Sequence, residues 1–542
     1  MPKIVALELE SFQTIGKRTV IPIRDLTLIF GPNGAGKSAI FDALELIKLI
    51  TSKDWGEGNT KLLSALHRHS RNSTTETPTN VIAVGIQIEI DKRWVTDELP
   101  YEVVHHLDHV RSHSISYDGD HAEDFIGKTL RFYVRFRNNT GKGYSWLFDE
   151  LSIQLDNEDV VNAMSTASNR CVLTLREREW IAFTELKRLA SEKTAPVSLV
   201  DSLARAEVES NLGWCGSASS WFSTRYYSNP ELEAEFRSLT QDVIDFFKTI
   251  VTVELQELAV VGASRTVPKL EESIALIPGD GYRTTSGDFR FGYRIEDSPL
   301  LKAMQPKVNS CGVLWLEMCK AVAQSIGVSR TEPDFWDEMT VLQRINSFLR
   351  EELFIENGYQ LNGEVFLIAE TDDYGDIPFE DVQVRPKLVR LFLTDYLNRS
   401  LEFEDVGSGI GYVLPVLASL ARDDISLIQQ PELHLHPALQ RNLGDIVVKS
   451  VENKTKLHCF TIIETHSEHL LLRVMRLIGS AAQREDEVIS PLGYERVAIL
   501  YFDPQPDGET KVRRLRLAPD GQLIDRWPGG FFNERYKDIF GE

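Results

Sequence analysis

Short apolar runs near the two ends of the chain predict strands and helices in close succession. The run at 26–30, Leu-Thr-Leu-Ile-Phe, has the length and apolarity of a buried parallel strand, and residues 40–50 carry apolar side chains at close to helical spacing. Upstream, residues 3–10 and 18–23 have the character of strands, which predicts a small antiparallel sheet. Further apolar runs predict buried strands at 425–428 and 460–463.

The middle of the chain has a mixed pattern. Partial alternation of apolar and polar residues predicts strands at 81–90, 129–136 and 146–155. From about residue 175 to 256 the spacing is mostly helical, and no sustained heptad repeat indicates a long coiled coil. Two shorter stretches, 310–326 and 338–357, also predict helices.

Composition limits the kind of protein. The 542 residues are 42% hydrophobic, which is ordinary globular usage, and no apolar run reaches the roughly 20 residues that span a bilayer. Five cysteines form no Cys-x-x-Cys pair and the first residues lack a signal-peptide pattern, so we expect a cytoplasmic protein. The net charge of −22 argues against nucleic-acid binding over the whole surface, because phosphate contacts favour basic proteins. Binding at a local basic patch, such as residues 511–516, is still compatible with this charge.

The segment between the predicted strand at 26–30 and the helix after it fits the phosphate-binding pattern G-x-x-x-x-G-K-[ST]. Its glycines let backbone N–H groups point at phosphate oxygens, and the helix N-terminus adds positive dipole. Lys37 is expected to neutralise the β- and γ-phosphates, and Ser38 to hold Mg²⁺. The candidate ATP-binding residues here are Gly31, Asn33, Gly34, Gly36, Lys37, Ser38 and Ala39.

A second group of motifs follows more than 360 residues later. Val-Gly-Ser-Gly at 406–409 precedes a predicted helix, Leu-His-Leu-His at 433–436 follows a predicted strand, and Thr-His-Ser at 465–467 follows the next strand. Taken singly, each is consistent with an ordinary turn or packed loop. Their order downstream of a P-loop makes coincidence a poor explanation.

Together these segments resemble the head of ABC-type ATPases, as in the SMC, RecF and overcoming-lysogenisation-defect families. The resemblance implies an α/β fold, with a mixed sheet carrying the P-loop, two lobes and a large, mostly helical insertion. It also implies that Gly407, Ser408 and Gly409 form the signature loop, which contacts the γ-phosphate bound by an opposite protomer. The expected parts are an N-terminal ATPase lobe at 1–160, the insertion at 161–385 and a C-terminal ATPase lobe at 386–542.

The chain departs from the family where the resemblance places the Walker B acids, because Gln429 and Gln430 stand there. A Gln amide can orient water but cannot accept a proton as a general base at neutral pH. Gln429 and Gln430, with His466 as the switch histidine, are the candidate catalytic residues, and Ser38 and Gln429 the candidate Mg²⁺ residues. We expect ATP binding with weak or absent hydrolysis, from a naturally slow ATPase or from a substituted acid. Glu432, two residues further on, is a possible replacement.

No second catalytic domain is predicted. The residues after His466 contain no Asp-x-Asp pair of the kind that the Toprim domain of overcoming-lysogenisation-defect nucleases uses to hold metal. This pattern, ATPase-head motifs without a nuclease motif, resembles the ATPase subunits of Septu and of retron-associated anti-phage systems. That resemblance implies a homodimer or larger oligomer joined through ATP and a separate HNH-type nuclease, with a reverse transcriptase and a DNA–RNA hybrid in retrons. The alternative is a RecF- or SMC-type repair ATPase that acts on DNA directly.

Overall fold

The structure is a computed structural model of the 542-residue chain. It describes most residues near the two ends and shorter segments between them. The described residues are 3–51, 60–67, 81–89, 127–139, 145–165, 170–175, 205–209, 251, 255, 258–265, 274–277, 318–319, 321–322, 341–367, 387–454, 459–481 and 492–528.

Strands outnumber helices among these residues. The strands are β1 (Lys3–Glu10), β2 (Thr19–Pro22), β3 (Leu26–Phe30), β4 (Val81–Glu89), β5 (Thr129–Asn139), β6 (Ser145–Leu155), β7 (Glu158–Ser165), β8 (Arg170–Leu175), β9 (Arg205–Glu209), β10 (Leu258–Val261), β11 (Ile274–Ile277), β12 (Gln360–Leu367), β13 (Lys387–Thr394), β14 (Ser400–Leu401), β15 (Ile425–Gln429), β16 (Thr461–Glu464), β17 (Val497–Pro504) and β18 (Thr510–Leu515). The helices are α1 (Ala39–Thr51), α2 (Thr60–Leu66), α3 (Val341–Ser347), α4 (Ser408–Leu420), α5 (Pro437–Glu452) and α6 (Glu468–Ala481); a π-helical turn, Phe348–Leu353, continues α3.

Three sheets organise these elements. The largest is antiparallel and has the order β2-β1-β4-β5-β6-β7-β8-β9. The second has the order β10-β15-β16-β3-β17-β18, and its first five strands run parallel, with β18 antiparallel to β17. The third joins β11, β13 and β12, with β14 paired to β13. The mixed α/β class predicted from the sequence is confirmed.

The second sheet is buried on both faces, which explains the continuous apolar run of β3. Successive side chains of a strand point to opposite faces. Leu26, Leu28 and Phe30 enter one hydrophobic core, which includes residues of α4, α5 and α6. Ile29 enters the other core, which includes residues of α1 and of the antiparallel sheet. A strand that is buried on both faces has a continuous run of apolar residues instead of an alternation of apolar and polar residues.

The predicted strands at the ends of the chain and at 81–155 agree with β1–β6, β15 and β16 to within a few residues. The helical prediction from about residue 175 to 256 is wrong at Arg205–Glu209, which forms β9 and pairs with β8. Pairing with a neighbouring strand here outweighs the local helical spacing. Most of 161–385 lies outside the described residues, and its described part includes strands β8–β12 as well as α3. The boundaries of the three expected parts stay a prediction.

Candidate functional site

The loop between β3 and α1 has the backbone shape of a phosphate-binding loop. Gly31, Gly34 and Gly36 have φ values of 149°, 77° and 78°, a region that glycine enters without steric cost. Gly36 also packs closely, since a Cβ atom there would lie 2.0 Å from Thr14 Oγ1. The Thr14 hydroxyl donates to the Ala35 carbonyl at 3.1 Å, so the loop after β1 holds the P-loop in place.

Lys37 lies folded into this loop. Its side chain is almost fully buried, and its ammonium donates to the Gly31 and Pro32 carbonyls at 3.1 and 3.0 Å. The nearest carboxylate is that of Glu464, whose Oε1 is 3.6 Å from Lys37 Nζ. Burial lowers the pKa of Lys37, and Glu464 partly opposes that shift. The lysine is therefore a cation held at the centre of the loop, where an anionic ligand would be stabilised.

The other predicted P-loop residues surround this lysine. Asn33 and Gly34 are exposed at the tip of the loop, Ser38 is half-buried, and Ala39 is the buried first residue of α1. The backbone N–H groups at the start of α1 add the partial positive charge of a helix N-terminus. These residues, with Lys37, lie along one continuous loop, as the sequence pattern predicts.

Glu464 ends the strand that lies between β15 and the P-loop strand. In the parallel register, Glu464 is paired with Gln429 on one side and with Ile29 on the other. The carboxyl ends of parallel strands meet at one edge of a sheet, and ligands bind there in open α/β folds. Burial raises the pKa of Glu464, with the charge of Lys37 acting in the opposite direction.

Gln429 is held from the side away from the P-loop. Its Oε1 accepts a hydrogen bond from the Ala263 backbone N–H at 3.1 Å, just beyond β10. The buried Arg265 side chain donates to the carbonyls of Gln429 and Gln430 at 2.7 and 2.6 Å. Gln430 itself has a positive φ of 45° and donates its backbone N–H to the Glu464 carbonyl at 2.7 Å. The end of β15 is thus fixed by the segment after β10.

Glu432 links the loop after β15 to the loop after β16. One carboxylate oxygen accepts from the Thr465 hydroxyl and the other from the His466 backbone N–H, both at 2.7 Å. His466 is half-buried, and its Nε2 has no hydrogen-bond partner among the described residues. Burial, followed by the charge of Lys37, lowers the pKa of His466 and favours the neutral imidazole.

The predicted signature residues begin α4. Gly407 is its N-cap and Ser408 its first residue, and both are exposed. Gly409 packs against the backbone after β15, because a Cβ atom there would lie 2.8 Å from the His434 carbonyl oxygen. The His434 ring packs on Tyr412 at 4.2 Å between centroids. The two predicted loops 407–409 and 433–436 therefore contact each other, and the N-terminus of α4 faces outward.

Sequence analysis missed two residues of this site. Glu464 and Arg265 come together with the Gln pair only through the order of strands β10, β15 and β16. A signal for Glu464 was present, since it is the last residue of a buried strand directly before Thr-His-Ser. No comparable signal marks Arg265, which is more than 160 residues away from its carbonyl partners.

Two of the four basic residues in the patch at 511–516 form ion pairs in the structure. Arg513 pairs with Asp503 at 2.6 Å and Arg516 with Asp525 at 2.8 Å. Within the described ranges no group of three or more His, Cys, Asp or Glu side chains is placed to hold a metal ion. In that same part of the chain, no helix has the length and apolarity needed to cross a membrane.

Three family models match separate parts of the chain. One described as "AAA domain" matches residues 6–186, and one described as "AAA domain, putative AbiEii toxin, Type IV TA system" matches residues 338–473. A third, "Protein of unknown function (DUF3696)", matches residues 492–540. The first match contains the P-loop, and the second contains the Gln pair and the loops at 407–409 and 465–467.

Known proteins and structures show more distant likenesses. Structural maintenance of chromosomes protein 1 of Schizosaccharomyces pombe is 31% identical over 96 residues, a match that spans 17% of this chain and 8% of the yeast protein. The SmcHead bound to the C-winged helix domain of ScpA is 12% identical, with a TM-score of 0.39 over 95% of this chain and 98% of that chain. The SMC head domain from Thermotoga maritima is 10% identical, with a TM-score of 0.35 over 95% of this chain and 100% of that chain.

The P-loop, the strand order around it and the two AAA-domain matches agree with one another. Residues 6–186 and 338–473 are similar to AAA-type ATPase domains. The short match to the yeast chromosome-maintenance protein is a likeness over 96 residues.

Proposed function

We propose that this chain binds ATP with Mg²⁺, hydrolyses it slowly, and uses the bound nucleotide to join two copies of itself. The observation that carries the proposal is the position of Lys37, a buried ammonium held at 3.0–3.1 Å by the carbonyls of its own glycine-rich loop. This loop lies at the edge where β3, β15 and β16 end, which is where a phosphate chain is stabilised by charge and by backbone N–H groups.

The residues at this edge fit a magnesium nucleotide. Mg²⁺ usually keeps several waters and takes only one or two protein ligands beside the phosphates, so a large cluster of ligands is not required. The half-buried Ser38 hydroxyl follows Lys37 directly, and the Glu464 carboxylate is 3.6 Å from that lysine. Bound Mg²⁺ would neutralise charge on the β- and γ-phosphates. The amide of Gln429, already engaged by Ala263, suits the metal less well.

The exposed start of α4 supports the dimer. Gly407 and Ser408 present the N-terminus of a 13-residue helix to solvent, and the helix dipole favours an anion there. Two copies that face each other would place this helix end on the γ-phosphate held by the opposite P-loop. Each nucleotide would then be bound by both chains, and its loss would weaken their association.

The Gln429–Gln430 pair, at the position where the resemblance places acids, favours a protein that holds ATP for long periods. Such a protein suits regulation of a partner, and we propose that the partner is a separate nuclease of the HNH type, as in anti-phage systems that include retrons. One matching family model has "putative AbiEii toxin, Type IV TA system" in its description, and a toxin system is one setting for a regulated partner. The competing proposal is a repair ATPase that binds DNA directly.

The experiment that tests the dimer is a mass measurement of the purified chain with and without ATP and Mg²⁺. Two variants separate the halves of the site. Lys37→Ala should abolish both ATP binding and the dimer, and Ser408→Glu should keep ATP binding and lose the dimer, because a carboxylate would then face the γ-phosphate. A chain that stays monomeric while binding ATP contradicts the sandwich.

A DNA-binding titration separates the two proposed roles. Direct action on DNA requires ATP-dependent binding of duplex DNA by the chain alone, with affinity that falls steeply as salt rises. A regulator of a nuclease requires instead a complex with that nuclease whose stability depends on nucleotide. The charge of −22 and the ion pairs of Arg513 and Arg516 favour the second outcome.

A further inference from the structure

The side chains at the end of β15, Gln429 and Gln430, are amides, whereas the ABC-type heads that these motifs resemble have acids there. A carboxylate is nevertheless present at the end of β16, one strand closer to the P-loop. Strand β16 lies between β15 and β3, so its last residue, Glu464, is next to the P-loop strand while Gln429 is not. The distance from Glu464 Oε1 to Lys37 Nζ is 3.6 Å. Position in the sheet therefore selects Glu464 as an acid of the nucleotide site.

Gln429 is turned toward the opposite side. Its side-chain oxygen accepts from Ala263, which follows β10, and β10 pairs with the edge of β15 that is remote from β16. Its main-chain carbonyl is engaged by Arg265 at 2.7 Å. The Gln429 amide oxygen is therefore already hydrogen-bonded to the segment after β10, on the side away from a nucleotide bound to the P-loop.

Glu432 is a second carboxylate near the site, and both of its oxygens already accept hydrogen bonds. They accept from Thr465 Oγ1 and from the His466 backbone N–H, each at 2.7 Å. A carboxylate with two such bonds fixes the shape of two loops, and it would have to release one of them to bind water. Glu432 is therefore a positioning residue.

We propose that Glu464 orients the water that attacks ATP and accepts its proton, the role left open by Gln429 and Gln430. The inference rests on the proposed ATPase function. In the step, the water oxygen forms a bond to the γ-phosphorus as the bond between that phosphorus and the β–γ bridging oxygen breaks. The water proton passes to the Glu464 carboxylate, and ADP and inorganic phosphate are the products.

The ion pair between Lys37 and Glu464 makes proton transfer depend on prior binding of ATP. The Lys37 ammonium lies between the P-loop carbonyls and the Glu464 carboxylate. A bound phosphate chain competes for the same ammonium, and its success would free the carboxylate for water. Glu464 is thus available to act only when ATP occupies the loop.

The test compares Glu464→Gln with wild type in three measurements: affinity for a fluorescent ATP analogue with Mg²⁺, single-turnover cleavage of ATP, and the mass of the ATP-bound assembly. We expect cleavage to fall about 100-fold, within the range that a general base contributes. ATP binding should be unchanged or tighter, because Lys37 loses a competing carboxylate, and the ATP-bound assembly should persist. A purely structural role for Glu464 would weaken binding together with cleavage, which would overturn the inference, as would unchanged cleavage.

Two controls separate this inference from the proposed function. If Lys37→Ala binds ATP as well as wild type does, the nucleotide site itself is wrong, whatever Glu464 does. If wild type binds ATP and Lys37→Ala does not, but wild type never cleaves it, binding stands and the role of Glu464 fails. Glu364→Gln, a matched change at a half-exposed carboxylate of β12, should leave ATP binding and cleavage unchanged. A loss of cleavage in Glu364→Gln as large as that in Glu464→Gln would show that the effect is not specific to Glu464, and would overturn the assignment.

Discussion

The carboxylate of Glu432 accepts a hydrogen bond of 2.7 Å from the backbone N–H of His466, and so ties the loop after β15 to the loop after β16. The two residues are 34 positions apart in the chain, and the bond fixes the backbone that carries the His466 ring. The position of the imidazole at the nucleotide edge is thus controlled by a half-buried acid.

Replacing Glu432 with Gln should destabilise the protein by about 1–3 kcal/mol. The amide oxygen can accept only one of the two bonds, and the NH₂ group would face a donor where the second carboxylate oxygen accepted a hydrogen bond. Chemical denaturation of the two proteins without nucleotide measures the difference. A matched change at an exposed partner, Glu364→Gln, should stay within about 0.5 kcal/mol of wild type. Equal stability of all three proteins would show that the hydrogen bonds of Glu432 to Thr465 and His466 do not contribute to the free energy of unfolding.

Gly36→Ala should harm the P-loop more than Gly34→Ala. Both glycines have φ near 78°, so both variants incur about 1–2 kcal/mol for the left-handed conformation. At Gly34 a Cβ atom meets nothing within 4 Å, whereas at Gly36 it would lie 2.0 Å from Thr14 Oγ1. Displacing that hydroxyl from the Ala35 carbonyl should add about 1 kcal/mol and weaken ATP binding further. Parallel thermal unfolding and ATP titrations compare the variants, and equal losses would contradict the packing at Gly36.

At the start of α4 the neighbouring glycines should differ in the same way. Gly409→Ala places a Cβ atom 2.8 Å from the His434 carbonyl oxygen, and overpacking of this kind costs about 1–3 kcal/mol. Gly407→Ala meets open space at an ordinary φ of −56° and should change stability by less than about 0.5 kcal/mol. Denaturation midpoints distinguish the two variants. A stable Gly409→Ala would mean that the loop at 433–436 can move away from α4.

The buried Glu8 carboxylate should be among the most sensitive positions of the antiparallel sheet. It is fully inaccessible and accepts from Arg131 at 2.6 and 2.9 Å, from Arg18 and from Gln87. Glu8→Gln would leave the buried Arg131 guanidinium without its counter-charge, which should cost about 3–5 kcal/mol. The measurement is the free energy of unfolding at neutral pH. A loss below about 1 kcal/mol would show that water or another acid replaces the carboxylate.

Protonation of His466 should weaken the fold in mild acid. Its pKa is lowered in the folded chain by burial and by the charge of Lys37, so below pH of about 6.5 the unfolded chain binds a proton that the folded chain resists. The contribution of this histidine to stability is therefore complete above pH of about 6.5, and it is lost as the pH falls from there through the lowered pKa of the folded chain. The stability difference between wild type and His466→Asn should grow from pH 5 to 7 and then stay level. A constant difference would contradict the lowered pKa.

The parts of the site that lie along one stretch of chain could be predicted from the sequence. Gly31–Ser38 was placed between a strand and a helix because a short apolar run, a glycine pattern and helical spacing follow one another there. The strands β15 and β16 were found for the same reason, since a short buried strand is marked by its own residues.

Contacts made across the sheet could not be predicted in this way. The pairing of Glu464 with Lys37, and of Arg265 with the Gln429 carbonyl, depends on which strands are neighbours, and strand order is not written in any local pattern. The strand at Arg205–Glu209 was missed because β8 decides its conformation. The roles of the predicted site residues, and the boundaries of the three parts, remain predictions.

The position of β3 has a consequence for how the chain reaches its native state. Its two neighbours are β16 and β17, which come more than 430 residues later. When a ribosome has produced the P-loop, neither flanking strand exists, and the apolar run Leu26–Phe30 has no strand neighbour until more than 430 further residues have been synthesised. Contacts between such distant segments form slowly and leave apolar surface open in the meantime. Phosphate binding by the loop is therefore expected to begin only after β16 and β17 have been made, and shortened products that stop before β16 should aggregate instead of acting as partial ATP-binding domains.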